Sequence, residues 1–550
     1  MSALQESPGT RSNYYDAVII GAGFSGLYML HRLRNELGLT VRVYETANGV
    51  GGTWYWNRYP GARSDSDSYL YCYSFDKELW QEWDWSERYP EQHEIRGYLE
   101  HVADRFDLDR DIQFETRVTE ATFDEDSNTW TVRTNAGDEV TTRYVITAVG
   151  ALSASNTPKF NGMDSFRGET YHTGLWPHEG VDFSGKRVGV IGTGASAVQA
   201  VPLIAKEASD LTVFQRTANY IIPANNGPVD PEVKQARKDD YEGIWERART
   251  SNFGFELYFN EKGAAEVSDE ERERELQKHW DNGGFGIWLG AYLDQFFTEE
   301  ANAKIREFMH RKIREKVDDP ETAELLIPTD YPFGCKRVPL DSGYFETFNL
   351  DHVHLVDVKS NPVSEITPNG VRLSDGTEHE FDAIVYATGF DAMTGPLNRI
   401  DIRGRDGKLL RDKWAEGPRT YLGLMSAGFP NLFTITGPQS PSVLSNMPVS
   451  IEQHVEFISR IIEDKRARGA ETIEPDRAAE DEWVAHNQEL AESTLFTTAD
   501  TWYMGSNIPG KPRVFMPNLD FVGPYRAKCD EIAENDYEGF TFDARQGANA

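Results

Sequence analysis

The sequence predicts an α/β protein with two parallel-sheet units and a helical insertion, and two observations carry that prediction. A strand, glycine turn, helix, strand order occurs twice, the copies separated by about 170 residues. Between the second copy and the return of β-like alternation lies a charged stretch, residues 230–330, with helical spacing of its Trp, Phe and Leu. At roughly 150 residues per domain, 550 residues leave room for three or four such units.

The elements follow in order. The first dozen residues are polar and read as a disordered arm. Residues 17–20 (AVII) form a strand, residues 21–36 (GAGFSGLYMLHRLRNE) a glycine turn and helix, and residues 40–45 (TVRVYE) a second strand. A β-rich stretch, residues 129–150, ends in VITAVG. The second copy runs KRVGVI, GTGASA, an apolar helix and LTVFQR, residues 186–216. Helices are expected at 234–251, 268–280 and 298–317, strands again at 352–360 and 370–389, and a helix at 450–469 among Pro- and Gly-rich loops. The segment ATGFD at 387–391 follows a strand and is the counterpart of VITAVG, so the two crossings set boundaries near 150 and 388.

Gly21-x-Gly23-x-x-Gly26 follows a strand and opens a helix, and Glu45 ends the next strand. In that context the glycines are a dinucleotide fingerprint: Gly21 for the tight turn, Gly23 for close approach to a pyrophosphate, Glu45 for ribose hydroxyls. Gly192, Gly194 and Ala197 repeat the pattern, but 24 residues beyond Gly192 stands Arg216, where the first copy has Glu45. An acid there suits a bare ribose, and an arginine suits a 2′-phosphate. Thr217 adds a hydroxyl donor. The fold expected is therefore two Rossmann-like dinucleotide-binding domains, the first for the ribose of FAD or NAD and the second for NADPH. Two such sites on one chain imply a flavoprotein fed by hydride, with FAD in the first. The boundaries expected are 1–150 and 387–550 for the two parts of the FAD unit, 151–224 and 333–386 for those of the NADP unit, and 225–332 for the insertion.

Composition excludes other classes. A formal net charge of −34 argues against nucleic acid and against anionic membrane surfaces as partners. The surplus of carboxylates, with 18 Lys against 38 Arg, reads as an ordinary acidic enzyme or as adaptation to salt. Cys72, Cys335 and Cys529 form no C-x-x-C pair, which removes zinc ribbons, iron–sulfur clusters and a dithiol redox pair; no metal is expected. No signal peptide or membrane span is visible, so the chain is read as cytoplasmic; a monomer is expected. Without a dithiol, the flavin passes its electrons to dioxygen or directly to a bound substrate.

Gly51-Gly52-Thr53-Trp54 and the aromatics to Tyr59 suit an isoalloxazine platform. Asp65 and Asp67, among serines, also read as plain turn residues. Phe166-x-Gly168-x-x-x-His172-x-x-x-Trp176-Pro177 closely resembles the fingerprint of type I Baeyer–Villiger monooxygenases, and Gly52…Trp54…Asp65 resembles the family's second fingerprint. The resemblance spans residues 16–540, and is nearest the phenylacetone and steroid monooxygenase branch. It implies bound FAD, NADPH and dioxygen as co-substrates, and a flavin peroxide that attacks a ketone to give an ester or lactone through a Criegee adduct. It assigns Arg337 as the catalytic cation, Asp65 as its partner, Lys336 as a second 2′-phosphate contact and Trp502 as a loop residue near the cofactor. His172 is given a modulating role in a linker between the nucleotide units, with Phe166 and Trp176 as packing anchors there. Ser442, Val443 and Leu444, in the longer 437–447 loop, are expected at the carbonyl pocket, which favours a bulky or aryl ketone. Gln439 stands where a small glycine is expected and is read as narrowing or polarising the entrance. The competing reading is a flavin monooxygenase acting on nitrogen or sulfur; the Trp176-Pro177 ending and the Lys336-Arg337 pair speak against it.

Overall fold

The computed structural model describes residues 13–543; the polar arm read at residues 1–12 lies outside them. The first sheet centres on Tyr14–Ile20, which runs parallel to Val41–Tyr44 on one side and Glu139–Thr147 on the other. Ala17, Val18 and Ile19 have no exposure, as a strand covered on both faces requires. Ile112–Gln113 extends the sheet beyond Val41–Tyr44. On the other side the hairpin Val118–Asp124 and Thr129–Thr134 folds back antiparallel. Two strands from far along the chain complete it: Leu432–Thr434 beside Glu139–Thr147, and Asp401–Arg403 beside Val118–Asp124, both parallel. The chain thus leaves this unit and comes back to it.

The second sheet is parallel throughout, in the order Val353–Asp357, Asp210–Gln215, Arg187–Ile191, Ala383–Tyr386, Glu169–His172. With the helix Ala195–Glu207 it gives the second Rossmann-like unit, so the α/β class with two dinucleotide-binding domains is the one observed. One expectation is corrected. His172 does not sit in a linker: Glu169–His172 is the edge strand of this sheet, its backbone registered so that His172 faces Tyr386.

The insertion leaves the second unit at Ile222–Pro223 and returns at Leu340–Asp341, two short strands that pair in parallel and close its neck. Its helices begin where the sequence supplies caps. Asp230 accepts from the Glu232 and Val233 N–H groups, Ser268 from Glu271 and Thr298 from Ala301. The helix Glu299–Lys316 buries Ile305, Phe308 and Met309 in one core and, a turn further on, Ile313 in the core of the second unit.

Candidate active site

The two glycine modules are built alike. Gly21 has φ +107° and Gly192 φ +116°, a region that disfavours any side chain. A Cβ on Gly21 would lie 2.5 Å from the Ala148 carbonyl oxygen, and one on Gly192 would lie 2.4 Å from that of Ala387. VITAVG and ATGFD are therefore equivalent backbones, each pressed on the glycine turn of its own unit. Gly26 packs so closely that a Cβ would meet the Gly21 carbonyl, whereas Ala197 is accommodated with no exposure.

The helices that start at Phe24 and Ala195 have Gly23 and Gly194 as caps, and no side chain bonds to their first-turn N–H groups. A Cβ on Gly52 would come within 2.9 Å of Gly23, so these two glycines line one surface over the first helix. Uncapped N–H groups beside bare backbone fit a pyrophosphate at each module. Glu45 is buried, its carboxylate accepting from the Ala22 N–H at 2.7 Å and the Ala47 N–H at 2.8 Å. The oxygen bonded to Ala47 also accepts from the Thr46 hydroxyl at 3.1 Å, so the oxygen bonded to Ala22 is the one that retains a lone pair for a ribose hydroxyl.

At the second module Arg216 is exposed and, among the described residues, forms no ion pair or hydrogen bond with its guanidinium. Lys336 is likewise unpaired, its ammonium 4.1 Å from the Tyr331 ring centroid. Burial, together with the charge of Arg216, pulls Lys336 down to about 8. Two cations that feel each other and, among the described residues, have no ion-pair partner fit a 2′-phosphate. Thr217 contributes its carbonyl, which accepts from the Thr193 hydroxyl at 2.7 Å.

Arg337 and Asp65, 272 residues apart, meet: Nη2 donates to the Asp65 carboxylate at 2.6 Å and Nε at 3.1 Å, while Nη1 donates to the Val443 carbonyl at 2.8 Å. Burial alone would lower the Arg337 pKa, but Asp65, with Tyr503 and Tyr71 beside it, makes the net shift upward. The guanidinium lies 5.0 Å from the Phe285 ring centroid and 5.6 Å from that of Trp288, both supplied by the insertion. The loop bearing it is braced by buried Asn302, which donates to the Phe333 carbonyl and accepts from the Phe333 N–H, both at 2.9 Å. Trp288 Nε1 donates to the Gly334 carbonyl at 3.1 Å. Phe285, Trp288 and Asn302 escaped the sequence reading; the run GFGIWLG at 284–290 is the one local signal that an aromatic wall stands there.

Ser442, Val443 and Leu444 are buried beside this arginine, and Leu444 lines an apolar cavity with Trp288, Phe296, Phe496 and Leu519. Gln439 corrects an expectation. It is buried, with φ +67°, and its amide bonds to Thr420 and the Pro418 carbonyl, so it holds its own loop rather than the entrance. Trp54 is buried, its indole donating to the Tyr71 hydroxyl at 3.2 Å. Tyr59 and Gly61 press on Gln199 of the second unit's helix, which ties the two units together.

Trp502 opens a short helical turn, and its loop is latched by Lys511 to Asp391 at 2.6 Å. His172 is buried, accepts from the Gly174 N–H at 3.0 Å, and is held below the ordinary imidazole value by burial. Trp176 packs on Tyr171 and Phe183, and Phe166 lies across Gly168, beside the antiparallel strands Val363–Thr367 and Gly370–Leu373; Pro177 follows Trp176 directly.

A model of flavin-binding monooxygenase-like proteins matches residues 16–229. The chain is 46% identical over 526 residues to an acetone monooxygenase (methyl acetate-forming) of Gordonia sp. (strain TY-5), covering 96% of this chain and 98% of that one. It is 45% identical over 538 residues to a Baeyer–Villiger monooxygenase of Pseudooceanicola batsensis, covering 98% of each. A phenazine N-monooxygenase of Lysobacter antibioticus is 45% identical over 530 residues, covering 96% and 97%. A solved steroid monooxygenase bound to NADP superposes with a TM-score of 0.93 at 50% identity, over 97% of this chain and all of that one. Likeness at this level runs through both glycine modules and the loop of Lys336 and Arg337, and the chain accordingly belongs to the type I flavoprotein Baeyer–Villiger monooxygenase family, an enzyme that contains FAD and uses NADPH and dioxygen.

Proposed function

We propose that the enzyme inserts one oxygen atom beside the carbonyl of an apolar, ring-bearing ketone. Ketone, dioxygen, NADPH and a proton give ester or lactone, water and NADP⁺. The observation that carries this reading is the Arg337 guanidinium, fixed on Asp65 and the Val443 carbonyl beside Trp288, which lines an apolar cavity. Bound FAD supplies the reduced flavin that activates dioxygen. The chain's own residues do the rest. Arg337 stabilises negative charge where it develops on the transferred oxygen and on the carbonyl oxygen; such preorganised donors are worth most in a site that excludes water. Asp65 keeps the guanidinium oriented. Arg216 and Lys336 hold the 2′-phosphate, Glu45 the ribose of FAD, and Trp502 stacks near the cofactor from its loop. Trp288, Phe296 and Leu444 offer the ketone dispersion contacts and no hydrogen bonds, which favours an aryl or polycyclic body over a small ring.

The test is product analysis under ¹⁸O₂ with aryl, polycyclic and small cyclic ketones. One labelled oxygen at the ester bridge, with the highest kcat/KM on the aryl or polycyclic ketones, is expected. Cyclohexanone ahead of the larger ketones would overturn the size preference, and absence of ester would overturn the reaction. A second reading, oxidation of a ring nitrogen, is favoured by the phenazine N-monooxygenase, which matches as well as the ketone enzymes do. Phenazine N-oxide formation with no ester from any ketone would establish it.

A further inference from the structure

A second pocket, open to solvent, lies between the first unit and the insertion. Junctions between structural units are where small-molecule pockets concentrate. The floor is aromatic. Trp83 packs edge-on to Trp85 at 5.7 Å and to Tyr98 at 5.3 Å, and Trp80 is buried beside them. The wall is the helix Pro231–Asp239, which sets Lys234, Arg237 and Lys238 on one face.

These three cations are not equivalent. Lys238 donates to Asp84 at 2.6 Å and to the Gln81 carbonyl at 2.7 Å, and Gln81 returns a bond to the Lys238 carbonyl at 2.8 Å. That clasp pins the helix over the cavity and neutralises Asp84, the one acid in the lining. Lys234 and Arg237 are half-buried and, among the described residues, neither side chain makes an ion pair or hydrogen bond. Arg237 is held flat, its guanidinium carbon 3.8 Å from the Tyr69 ring centroid, which leaves its N–H edges free. The Trp83 indole N–H is also buried without an acceptor. Carboxylates exceed cations by 34 in this chain, so two half-buried cations left uncompensated at the rim of an aromatic pocket point to an anion from outside it.

We infer that this cavity binds an amphipathic monoanion: a flat or short-chain apolar body on the tryptophan floor, with its carboxylate between Lys234 and Arg237. This site is separate from the one that holds cofactors and ketone, and does not depend on which substrate the enzyme oxidises.

The test is calorimetric titration of 1-naphthoate, and of neutral 1-naphthalenemethanol, into the full-length, FAD-loaded enzyme saturated with NADP⁺. One site is expected, with the acid bound at least about tenfold more tightly than the alcohol, since a charge-assisted hydrogen bond is lost with the carboxylate. The Lys234→Glu/Arg237→Glu variant is expected to weaken naphthoate binding by at least about tenfold. Val229→Trp, which fills the cavity without altering charge, is expected to abolish it. Flavin content and melting temperature report folding, and if the charge variant does not fold, Val229→Trp carries the test. No binding at millimolar naphthoate, equal affinity for the alcohol, or undiminished binding in a folded variant would overturn the inference.

Discussion

Arg337 can hold its charge in a partly buried place because Asp65 answers it through two N–H groups, and a planar fork with that partner has a fixed direction. Neither residue announces this in the sequence. A Lys-Arg pair and an aspartate among serines are ordinary surface patterns, and only the resemblance links positions 272 residues apart. Arg216 differs, because its offset from Gly192 is a local spacing that can be read against Glu45. Its role as a 2′-phosphate contact is testable alone. Arg216→Ala is expected to raise KM for NADPH about tenfold or more, the loss of a hydrogen bond to a charged group, while leaving KM for NADH nearly unchanged. Lys336 adds a pH dependence. Burial and Arg216 hold its ammonium near 8 in the free enzyme. As pH rises through that value the proton and the phosphate contact are lost, so KM for NADPH is expected to climb above pH 8 more steeply than KM for NADH. Lys336→Met should remove the difference; parallel pH profiles in the parent would contradict it.

At the scale of elements, the parts legible in the sequence are those made by neighbours in the chain. Strand, glycine turn and helix lie within about 30 residues, and period alone places them. Elements fixed by distant partners were read less well. Glu169–His172 is a strand because Ala383–Tyr386 lies beside it, and residues 166–177 alone carry no sign of that edge. Gln439 turned inward because Thr420 and Pro418 offer it partners, a fact of tertiary packing. The insertion read as a charged helical stretch with no part in the site, yet it delivers Phe285 and Trp288 to the arginine and Asn302 to the arginine's loop. Asn302 makes two bonds to one buried backbone unit, and its removal leaves both groups unpaired at about 1–3 kcal/mol each. Asn302→Ala is expected to lower the melting temperature by several degrees and to raise the fraction of NADPH electrons lost to free hydrogen peroxide. An unchanged ester yield per NADPH would show that the loop holds Arg337 without this brace.

Across the whole molecule, three regions converge on Glu452. Its carboxylate takes bonds from the Ser74 N–H at 2.6 Å, the Phe75 N–H at 3.1 Å and the Ser74 hydroxyl, with Arg249 of the insertion 4.0 Å away. Burial, reinforced by Glu456, pushes it up to about 7 from an ordinary 4.5. Between those values the unfolded chain releases a proton that the folded protein keeps, so stability falls as pH rises from about 4.5 to 7, by about 3 kcal/mol from this group. Glu452→Gln is expected to shrink the difference in melting temperature between pH 5 and pH 8; an identical difference in parent and variant would contradict it. The same architecture brings the first nucleotide unit and the insertion together on one cation, and the central claim is that this cation serves oxygen transfer. The direct measurement is anaerobic flavin reduction by NADPH, ester yield and hydrogen peroxide yield in one preparation of Arg337→Ala, beside Arg337→Lys and the parent. The account predicts retained FAD, measurable reduction, and peroxide in place of ester, with lysine giving incomplete rescue because a point charge cannot reproduce the fork. Near-normal ester formation by Arg337→Ala would contradict it.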